Sequence, residues 1–534
     1  MLLRYPLLSM FVACAPTRPE IPDLHATELT VEPGNLNLQT SSRGADPVQF
    51  VAKARFDDGS SEELEQAEWE VSNRSSGTID ATGLFTPSST NGGVTWVTAR
   101  FDGLEASAEL HLTYQDEMNE SGVDTSLFDA PKVNQPGMWT YPQDGVNLPR
   151  NTPSIVFQWA DPGAQAARLR FRSEVTDLTV YTTGSSWTAS EAIWPLIVAS
   201  NAGASVQVEL SLAVNGQVWA DSVRTFQVNR MDANGSVFYW STSTSGIMEI
   251  PYGGSASEYL TATTTGHCVG CHTVSNGLIA FTYDGGDGYL GVKRVADRSD
   301  VVPYSAGYGN FKTFSPDGNY VLSTYQGSLL LWDAHTGAFL YEIPTGLKLT
   351  HPDWSPLGDK IVAVNPANYA CDWCSSEGNL VLIDYYGDGQ FGSPALLYDA
   401  PPGYNAYYPA FSPDGEWIAF NQSTGDSYDD VDAGVWVVPT VGGTPIVLSA
   451  ANLGDGLTNS IPRWGPLPDD DVLWLAFSSK RIYGNNLTTG NPQIWVAGFD
   501  PIKAGKGEDP SWPAFWLPGQ DAAQGNHIPA WAER

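Results

Sequence analysis

The string Cys268-Val269-Gly270-Cys271-His272 is the part of this 534-residue chain whose residue types and spacing point most directly to chemistry. Two cysteines separated by two residues can form thioethers with the two vinyl groups of haem, and a histidine directly after them is placed to ligate the iron. The chain has only 5 Cys and 7 His. Because random placement would give this string in roughly one such chain in 1,600, the sequence predicts one covalent haem c.

Two other interpretations of the string remain open. Cys268 and Cys271 could form a disulfide with His272 as a bystander, or they could join Cys371 and Cys374 in a four-cysteine zinc site. The second cysteine pair has no histidine directly after it, so a second haem is not expected. In an oxidising compartment we expect Cys371 and Cys374 to form a short-loop disulfide.

The composition disfavours several classes of partner. The formal net charge is −34, which disfavours nucleic acid and anionic lipid headgroups, because binding their phosphates needs clustered Lys and Arg. Only 16% of residues are charged and 42% are hydrophobic, and 12% are aromatic, which excludes a long disordered acidic protein. With 53 Gly and 37 Pro the chain has many turns, and we expect an aromatic-rich, all-β, extracytoplasmic protein.

The first 14 residues have the features of an export signal. Arg4 precedes a short apolar stretch, which is typical of a secretory signal. The end of the stretch, Phe11-Val12-Ala13-Cys14, resembles a bacterial lipoprotein lipobox, although Phe11 replaces the usual Leu. The resemblance implies that Cys14 is lipidated, and residues 15–24 would form a Pro-rich tether; the alternative is an ordinary signal peptide with a chance cysteine.

Residues 25–230 alternate apolar and polar residues in short runs, which predicts two β-sandwich modules. In residues 25–114, the stretch around Trp69 followed by Gly83-Leu84-Phe85 resembles the bacterial Ig-like (group two) domain, in which the Trp lies in the core. Residues 115–131 are polar and are expected to form a linker. Residues 132–230 then predict a second Ig-like or fibronectin-like sandwich.

A unit of short strands with a Ser-Pro turn recurs from residue 236 to 534. Its turns are Phe314-Ser315-Pro316-Asp317-Gly318, Trp354-Ser355-Pro356-Leu357-Gly358, Phe411-Ser412-Pro413-Asp414-Gly415 and a degenerate Trp464-Gly465-Pro466. A period of roughly 40 to 57 residues with four short strands per unit indicates propeller blades. The unit resembles the WD-repeat-like blades of TolB-type β-propellers, which implies that fold for the whole segment.

The two ends of this segment each have the pattern of part of a blade. Pro529-Ala530-Trp531 is similar to the start of an inner strand, while 237–241 and 246–250 have the pattern of later strands of a blade. One blade is therefore expected to combine both ends of the segment. The predicted fold class is all-β: two Ig-like sandwiches followed by a six-bladed β-propeller, with five or seven blades also fitting the spacing.

Aligning the repeats places the cysteine string just before an inner strand, where the residues of a propeller gather around the axis. Cys271 aligns with His351 and Tyr408, so the haem is expected over one mouth of the central channel. His272 would be the proximal iron ligand and His351 is the first candidate for the distal ligand, with His527 a weaker one. Two further options are Met248 and His267, although His267 adjoins Cys268 and is not expected to reach the far face. A five-coordinate iron also remains open.

Other motifs are sparse. The acidic loops 284–288 and 426–432 could supply oxygen ligands to Ca²⁺, but solvated loops are the simpler interpretation. No G-x-x-x-x-G-K or H-E-x-x-H string occurs, and a hydrolase domain after the propeller is not expected.

These features favour a lipid-anchored, monohaem c-type cytochrome of the cell envelope, on the outer membrane or surface, that transfers electrons to a redox partner protein. The alternatives are a surface scaffold that binds a protein or glycan, with the haem structural or missing, and an oxidoreductase with an open iron site. An electron carrier or binding protein is favoured over an enzyme. Redox partner, potential and oligomeric state stay open.

Overall fold

A computed structural model describes residues 24–305, 307–426, 430–453, 458–467, 472–485 and 490–533. The predicted signal at 1–14, the lipidation candidate Cys14 and nearly all of the predicted tether lie outside these residues. The chain divides into two compact units, Met1–Thr113 and Tyr114–Arg534. Within the described residues, none of the helices has the length and apolar character needed to cross a membrane.

The first unit is built of short antiparallel strands. They are β1 (Ala26–Glu32), β2 (Leu36–Thr40), β3 (Val48–Gln49), β4 (Val51–Phe56), β5 (Ser61–Glu63), β6 (Glu68–Val71), β7 (Gly77–Ile79), β8 (Leu84–Pro87), β9 (Gly93–Phe101) and β10 (Leu104–Met118), of which the last five residues belong to the second unit. The sheets have the orders β1-β4-β5, β3-β8-β7 and β2-β10-β9-β6. Buried and exposed residues alternate along β4 and β10, as expected for strands with one face on a core.

The turn before β8 requires its glycine. Gly83 has a φ of +82°, and a Cβ there would lie 2.4 Å from the carbonyl oxygen of Phe50 and 3.0 Å from the ring of Trp69. The turn therefore packs directly on Trp69, which lies half-buried between the two hydrophobic clusters of this unit. The assignment of this unit to the Ig-like family stays a prediction.

The second unit begins with two further sheets. Their elements are a 3₁₀ helix (Thr125–Asp129), β11 (Lys132–Asn134), β12 (Trp139–Tyr141), β13 (Val146–Leu148), β14 (Val156–Trp159), β15 (Ala166–Arg172), β16 (Thr176–Thr182), β17 (Ser186–Thr188), α1 (Trp194–Ser200), β18 (Ser205–Val214), β19 (Gln217–Ala220) and β20 (Arg224–Val228). One sheet has the order β11-β19-β18-β15-β16, with β20 pairing β18 and β13, and the other has the order β12-β14-β17. Phe157, Phe171, Trp187 and Phe226 fill the core.

The prediction that residues 115–131 form a linker is wrong for most of the segment. The last five residues of β10 pair in parallel with Thr176–Val180, and the 3₁₀ helix buries Phe128. The guanidinium of Arg168 lies 4.9 Å from the centroid of the Phe128 ring. Val123 is buried in the same hydrophobic cluster as Phe128, so a few apolar side chains hold this otherwise polar segment on the sheet.

Six four-stranded antiparallel sheets follow. Their elements are β21 (Ser236–Ser241), β22 (Gly246–Pro251), β23 (Ser257–Leu260), α2 (Ala262–Thr265), β24 (Val269–Ser275), β25 (Leu278–Tyr283), β26 (Tyr289–Arg294), β27 (Asp300–Val302), β28 (Lys312–Phe314), β29 (Tyr320–Tyr325), β30 (Ser328–Asp333), β31 (Phe339–Glu342), β32 (Thr350–Trp354), β33 (Lys360–Asn368), β34 (Ser376–Asp384), β35 (Ala395–Tyr398), β36 (Asn405–Phe411), β37 (Trp417–Ser423), β38 (Gly434–Pro439), β39 (Ile446–Val447), β40 (Ser460–Trp464), β41 (Leu473–Ser479), β42 (Gln493–Phe499), α3 (Pro501–Gly505), β43 (Phe515–Trp516) and β44 (Asn526–Ala532).

The sheets form a closed propeller. The innermost strands β24, β28, β32, β36, β40 and β44 each contact the next, and β44 also contacts β24. As the sequence predicts, the last strand joins the first sheet, because β44 pairs antiparallel with β21. The Ser-Pro turns connect the first and second strands of a sheet, and in two of them, after β28 and β36, the serine hydroxyl accepts the backbone N–H of Tyr320 or Trp417 at 2.9 Å.

The sequence predicts that residues 132–230 and the propeller at 236–534 are separate domains. The structure does not divide into compact units at this boundary. Both segments belong to the second unit. Asn485, in the propeller, donates its side-chain N–H to the carbonyl oxygen of Trp159 at 2.7 Å. The hydroxyl of Tyr141 accepts the backbone N–H of Trp516 at 3.1 Å, and the ring of Tyr141 meets that of Tyr483. These contacts are buried and aromatic, so the two segments are fixed to each other.

We expect Trp531→Ala to destabilise the second unit by about 3–5 kcal/mol, because Trp531 is a buried aromatic side chain at the ring closure. It is 7% exposed, stacks on Tyr252 with centroids 5.5 Å apart and donates to the carbonyl oxygen of Asn234 at 2.8 Å. Urea unfolding followed by circular dichroism measures the change.

The control is Tyr386→Ala, which removes a ring that is 70% exposed and should cost no more than about 0.5 kcal/mol. Equal midpoints for the two variants would contradict a stabilising role for the closure.

Candidate functional site

Five of the six innermost strands bend at the same position, through a residue whose backbone is left-handed. These residues are Cys271 (φ 43°), His351 (φ 48°), Tyr408 (φ 50°), Ile461 (φ 57°) and Ile528 (φ 52°). Each lies where the pairing of its strand shifts register. Such a β-bulge redirects the side chain relative to its neighbours. The sixth strand, β28, pairs regularly, and Phe311 precedes it.

The side chains at this position meet around the propeller axis. The ring of His351 lies 4.3 Å from that of Phe311 and 4.1 Å from that of Tyr408, between centroids. Ile461 and Ile528 pack in the same hydrophobic cluster. We call the six residues at this level the axial ring: Cys271, Phe311, His351, Tyr408, Ile461 and Ile528. The structure thus places Cys271 and His351 at the equivalent position that the sequence alignment gave them.

Both cysteines of the C-x-x-C-H string line a cavity of about 350 Å³ on one side of the axial ring. The cavity wall is almost wholly apolar and includes Trp240, Phe311, Trp373 and Ile528. The thiols are free. Burial raises the pKa of Cys271, and burial together with the carboxylate of Asp284 raises that of Cys268, so both are neutral thiols at pH 7.

His272 is buried beside this cavity rather than in its wall. Its exposed fraction is 6%, and in the described part of the chain no partner meets hydrogen-bond geometry at either ring nitrogen. Burial lowers the pKa of His272 to about 4, with the backbone of Phe238 acting in the opposite direction. The imidazole is therefore neutral at pH 7, which is the form that ligates iron.

These residues fit haem c better than the alternatives. A porphyrin needs an apolar cavity, two thiols at its edge and an uncharged imidazole whose nitrogen is not already engaged. The zinc alternative is wrong, because Cys371 and Cys374 are joined to each other by a disulfide. Among the described residues, no group of three or more His, Cys, Asp and Glu side chains is arranged to hold a metal ion. Part of the loop at 426–432 lies outside these residues, and Ca²⁺ binding by either acidic loop stays an open alternative.

Three of the four candidates for the distal ligand lie in different places. His351 is in the axial ring, 2% exposed, and within the described residues neither ring nitrogen has a hydrogen-bond partner. Burial holds the pKa of His351 well below its usual value. His527 is buried next to Ile528 and pairs with Trp240, so it also adjoins the cavity. Met248 packs in the core of the second unit, where its sulfur accepts from Thr244.

A second, polar cavity of about 440 Å³ lies along the following residues of the inner strands. Lys312, Asp353 and Arg463 line it. The ammonium of Lys312 donates to the carbonyl oxygen of Cys271 at 2.5 Å and to the hydroxyl of Thr282 at 2.6 Å. Burial lowers the pKa of Lys312 to about 7 and raises that of Asp353, although Arg463 acts on Asp353 in the opposite direction.

The sequence interpretation missed these charged residues and Trp373. Lys312 follows Phe311 as His272 follows Cys271, so extending the repeat alignment by one blade would have found it. Trp373 gave no such signal, because it reaches the cavity from a loop: a Cβ at Gly286 would lie 2.4 Å from its ring. The disulfide between Cys371 and Cys374 encloses this tryptophan.

Comparisons with known proteins identify no family. No protein-family profile matches the chain, and no curated protein matches it. Among solved structures, TolB from Acinetobacter baumannii gives a TM-score of 0.38 at 13% identity, over 62% of this chain and 80% of that chain. Dihydro-haem d1 dehydrogenase NirN gives 0.32 at 14% identity, over 54% of this chain and 54% of that chain. Kuenenia stuttgartiensis hydrazine synthase gives 0.33 at 12% identity, over 56% and 75%. Similarities this weak transfer no function.

Lys312→Met tests whether burying the protonated Lys312 side chain lowers the free energy of unfolding, as its lowered pKa implies. In the unfolded chain Lys312 keeps a pKa near its ordinary value of 10.5, whereas burial lowers its pKa to about 7 in the folded protein. Between these pH values the unfolded state binds more protons, so the free energy of unfolding of the parent rises with pH because of this residue. We expect the parent to gain stability over Lys312→Met from pH 7 to pH 10.

Urea unfolding of both proteins at several pH values measures this difference. Since other titrating groups are common to the two, they cancel in the comparison. Parallel curves would show that the proton on Lys312 is not linked to folding.

Proposed function

We propose that this protein is an exported monohaem c-type cytochrome that transfers one electron. Cys268 and Cys271 would hold the haem through thioethers and His272 would ligate the iron. The observation that carries the proposal is that both thiols of the C-x-x-C-H string line one apolar cavity at the propeller axis, next to a buried, neutral imidazole. Haem c bound there supplies one-electron chemistry, whose potential depends on the axial ligands and on burial.

The residues around the cavity would keep water away from the haem faces. Trp240, Phe311, Trp373 and Ile528 present apolar surface to it. Phe311 and Ile528 are part of the axial ring and so are fixed by the propeller, whereas Trp373 is fixed by Gly286 and by a disulfide loop that encloses only two residues. A rigid apolar wall lowers the local dielectric and favours the haem state of lower charge.

His351 is proposed as the distal ligand. It shares the axial ring with Cys271, and its ring contacts Phe311, which lines the cavity. Within the described residues, neither ring nitrogen has a hydrogen bond, and both are buried. A buried imidazole without a partner destabilises the folded protein, so a ligand at this position would be favourable. His527 is the weaker candidate.

The cellular setting belongs to the same proposal. Covalent haem and a disulfide both suit an oxidising compartment, and the sequence start suggests export to the cell envelope with a lipid on Cys14. The six sheets would be the six blades of the propeller, and the preceding modules would be Ig-like spacers. A redox protein of the envelope would be the partner.

A binding scaffold is the second candidate function, and the polar cavity favours it. Lys312, Asp353 and Arg463 face a space of about 440 Å³, which is large enough for a small ligand. A colourless protein from a host competent in cytochrome maturation, with the mass of the bare polypeptide, would support the scaffold and overturn the cytochrome.

The paired variant C268A/C271A should abolish haem attachment, because it removes both thioether sulfurs. In a maturation-competent host, the parent should show a reduced-minus-oxidised haem spectrum and a mass increased by one haem, and the variant should show neither. The matched control C371S/C374S removes the other cysteine pair and should keep its haem. Haem retained by C268A/C271A, or lost equally from both, would contradict the assignment of the thioethers.

His351→Ala should open the distal position of the iron. The parent, with both axial positions filled, should not change its reduced spectrum in carbon monoxide, whereas His351→Ala should. His527→Ala is the control and should stay insensitive. Carbon monoxide binding by the parent would instead indicate an open iron site and favour an oxidoreductase, and sensitivity only in His527→Ala would move the ligand to His527.

A further inference from the structure

A row of aromatic rings runs along the propeller surface from the residue before Cys268. The ring of His267 stacks on Tyr304 at a centroid distance of 3.8 Å, and Tyr304 meets Tyr289 at 5.0 Å. Tyr289 stacks on Tyr308 at 4.8 Å, and Tyr308 stacks on Tyr325 at 5.0 Å. We call these five residues the tyrosine row.

The tyrosine row is not a buried core. Tyr304 is 39% exposed and Tyr308 is 43% exposed, although each touches two or more other rings. A contiguous aromatic patch left at the surface marks an interaction site, and tyrosine is among the residues that carry most binding energy at protein interfaces. Its ring brings a large contact area at a low entropy cost, since only two side-chain torsions are fixed.

The inner end of the row lies against the proposed haem attachment. His267 directly precedes Cys268, and the backbone N–H of Asp284 donates to the carbonyl oxygen of Cys268 at 2.8 Å. Asp284 also binds the His267 ring, with 3.2 Å between its Oδ1 and Nδ1. Under the proposed function the sulfur of Cys268 would hold the haem, so the row begins one residue from the proposed attachment.

The charge around the row is predominantly negative. The carboxylate of Asp284 raises the pKa of Tyr304, and Asp287 is exposed on the same loop. Of the nearby cations, Lys293 is paired with Asp300 at 2.5 Å, and Lys348 lies at the far end of the row, where it donates to the carbonyl oxygen of Gln326. With a net charge of −34 on the whole chain, the surface is complementary to a cationic protein.

We propose that the tyrosine row is the docking surface through which this protein exchanges an electron with a cationic one-electron redox protein. The inference rests on the proposed haem function. One electron passes between the two iron centres, so that one is oxidised as the other is reduced, and no bond forms or breaks and no proton moves. The rings supply contact area and short separation from the haem edge, and the carboxylates steer the encounter.

The test uses the full-length haem protein and a lysine-rich mitochondrial cytochrome c as the cationic probe, in whichever direction transfer is spontaneous. Stopped-flow mixing at low ionic strength gives the second-order rate constant. We expect Y304A/Y308A to lower it about tenfold, the equivalent of about 1.4 kcal/mol of lost encounter stability. The matched control Y386A/L396A removes two side chains that are 70% and 62% exposed on another sheet, and should leave the rate unchanged.

Two further measurements separate docking from other effects. Ferricyanide, a small anion that needs no protein interface, should oxidise the parent and Y304A/Y308A at rates within twofold of each other. D287N should weaken the fall of the cytochrome c rate with added salt, because it removes one steering charge.

The outcomes show whether the docking surface alone fails or the proposed cytochrome function fails with it. Equal cytochrome c rates for Y304A/Y308A and the control, or an equal loss of the ferricyanide rate, would overturn the docking surface while the haem spectrum upholds the cytochrome. A purified parent without a haem spectrum would overturn the proposed function itself, and the docking surface with it.

Discussion

The bend in the innermost strands is the constraint on which the site depends. Six strands converge on one axis, and in five of them a residue other than glycine adopts a left-handed backbone at the point of closest approach. That conformation costs roughly 1–2 kcal/mol for each such residue, and more for the β-branched Ile461 and Ile528. The closed circle of sheets holds all five in place at once. Because of the bend, each of these strands directs one side chain to the axis, and one of these side chains is that of Cys271.

The inner strands β24 and β28 differ from the other four in the residue that follows the bend or its equivalent position. In four strands it is a proline, Pro352, Pro409, Pro462 or Pro529, which has no N–H to leave unpaired at an interrupted ladder. In β24 and β28 the equivalent residues are His272 and Lys312, which are both buried. Two polar side chains therefore replace proline next to each other in space. The two departures from the repeat lie in adjacent inner strands, and one of them, His272, belongs to the C-x-x-C-H string; departures of this kind are expected at functional sites.

Much of the architecture could be predicted from the sequence because it follows from local rules. Alternating burial, the Ser-Pro turns and the closing strand depend on short patterns that repeat, and the structure has them. The packing of residues 115–131 on the sheet could not be predicted, since a few apolar side chains, Phe128 and Val123 among them, outweigh the polar composition of the segment. For the candidate site, the repeat alignment placed Cys271 and His351 at one level. Trp373 was not predictable, because its contact with Gly286 joins two loops without a pattern.

The pairing of β44 with β21 has a consequence for the order of events during biogenesis. The partner strands are separated by almost the whole propeller, so the first sheet remains incomplete until the other five have been synthesised. Cys271 is half-buried at the axis in the closed circle, and under the proposed function an enzyme that ligates a tetrapyrrole would have to reach both sulfurs. Such attachment would be easiest on the open chain, before the final strand inserts and completes the first sheet.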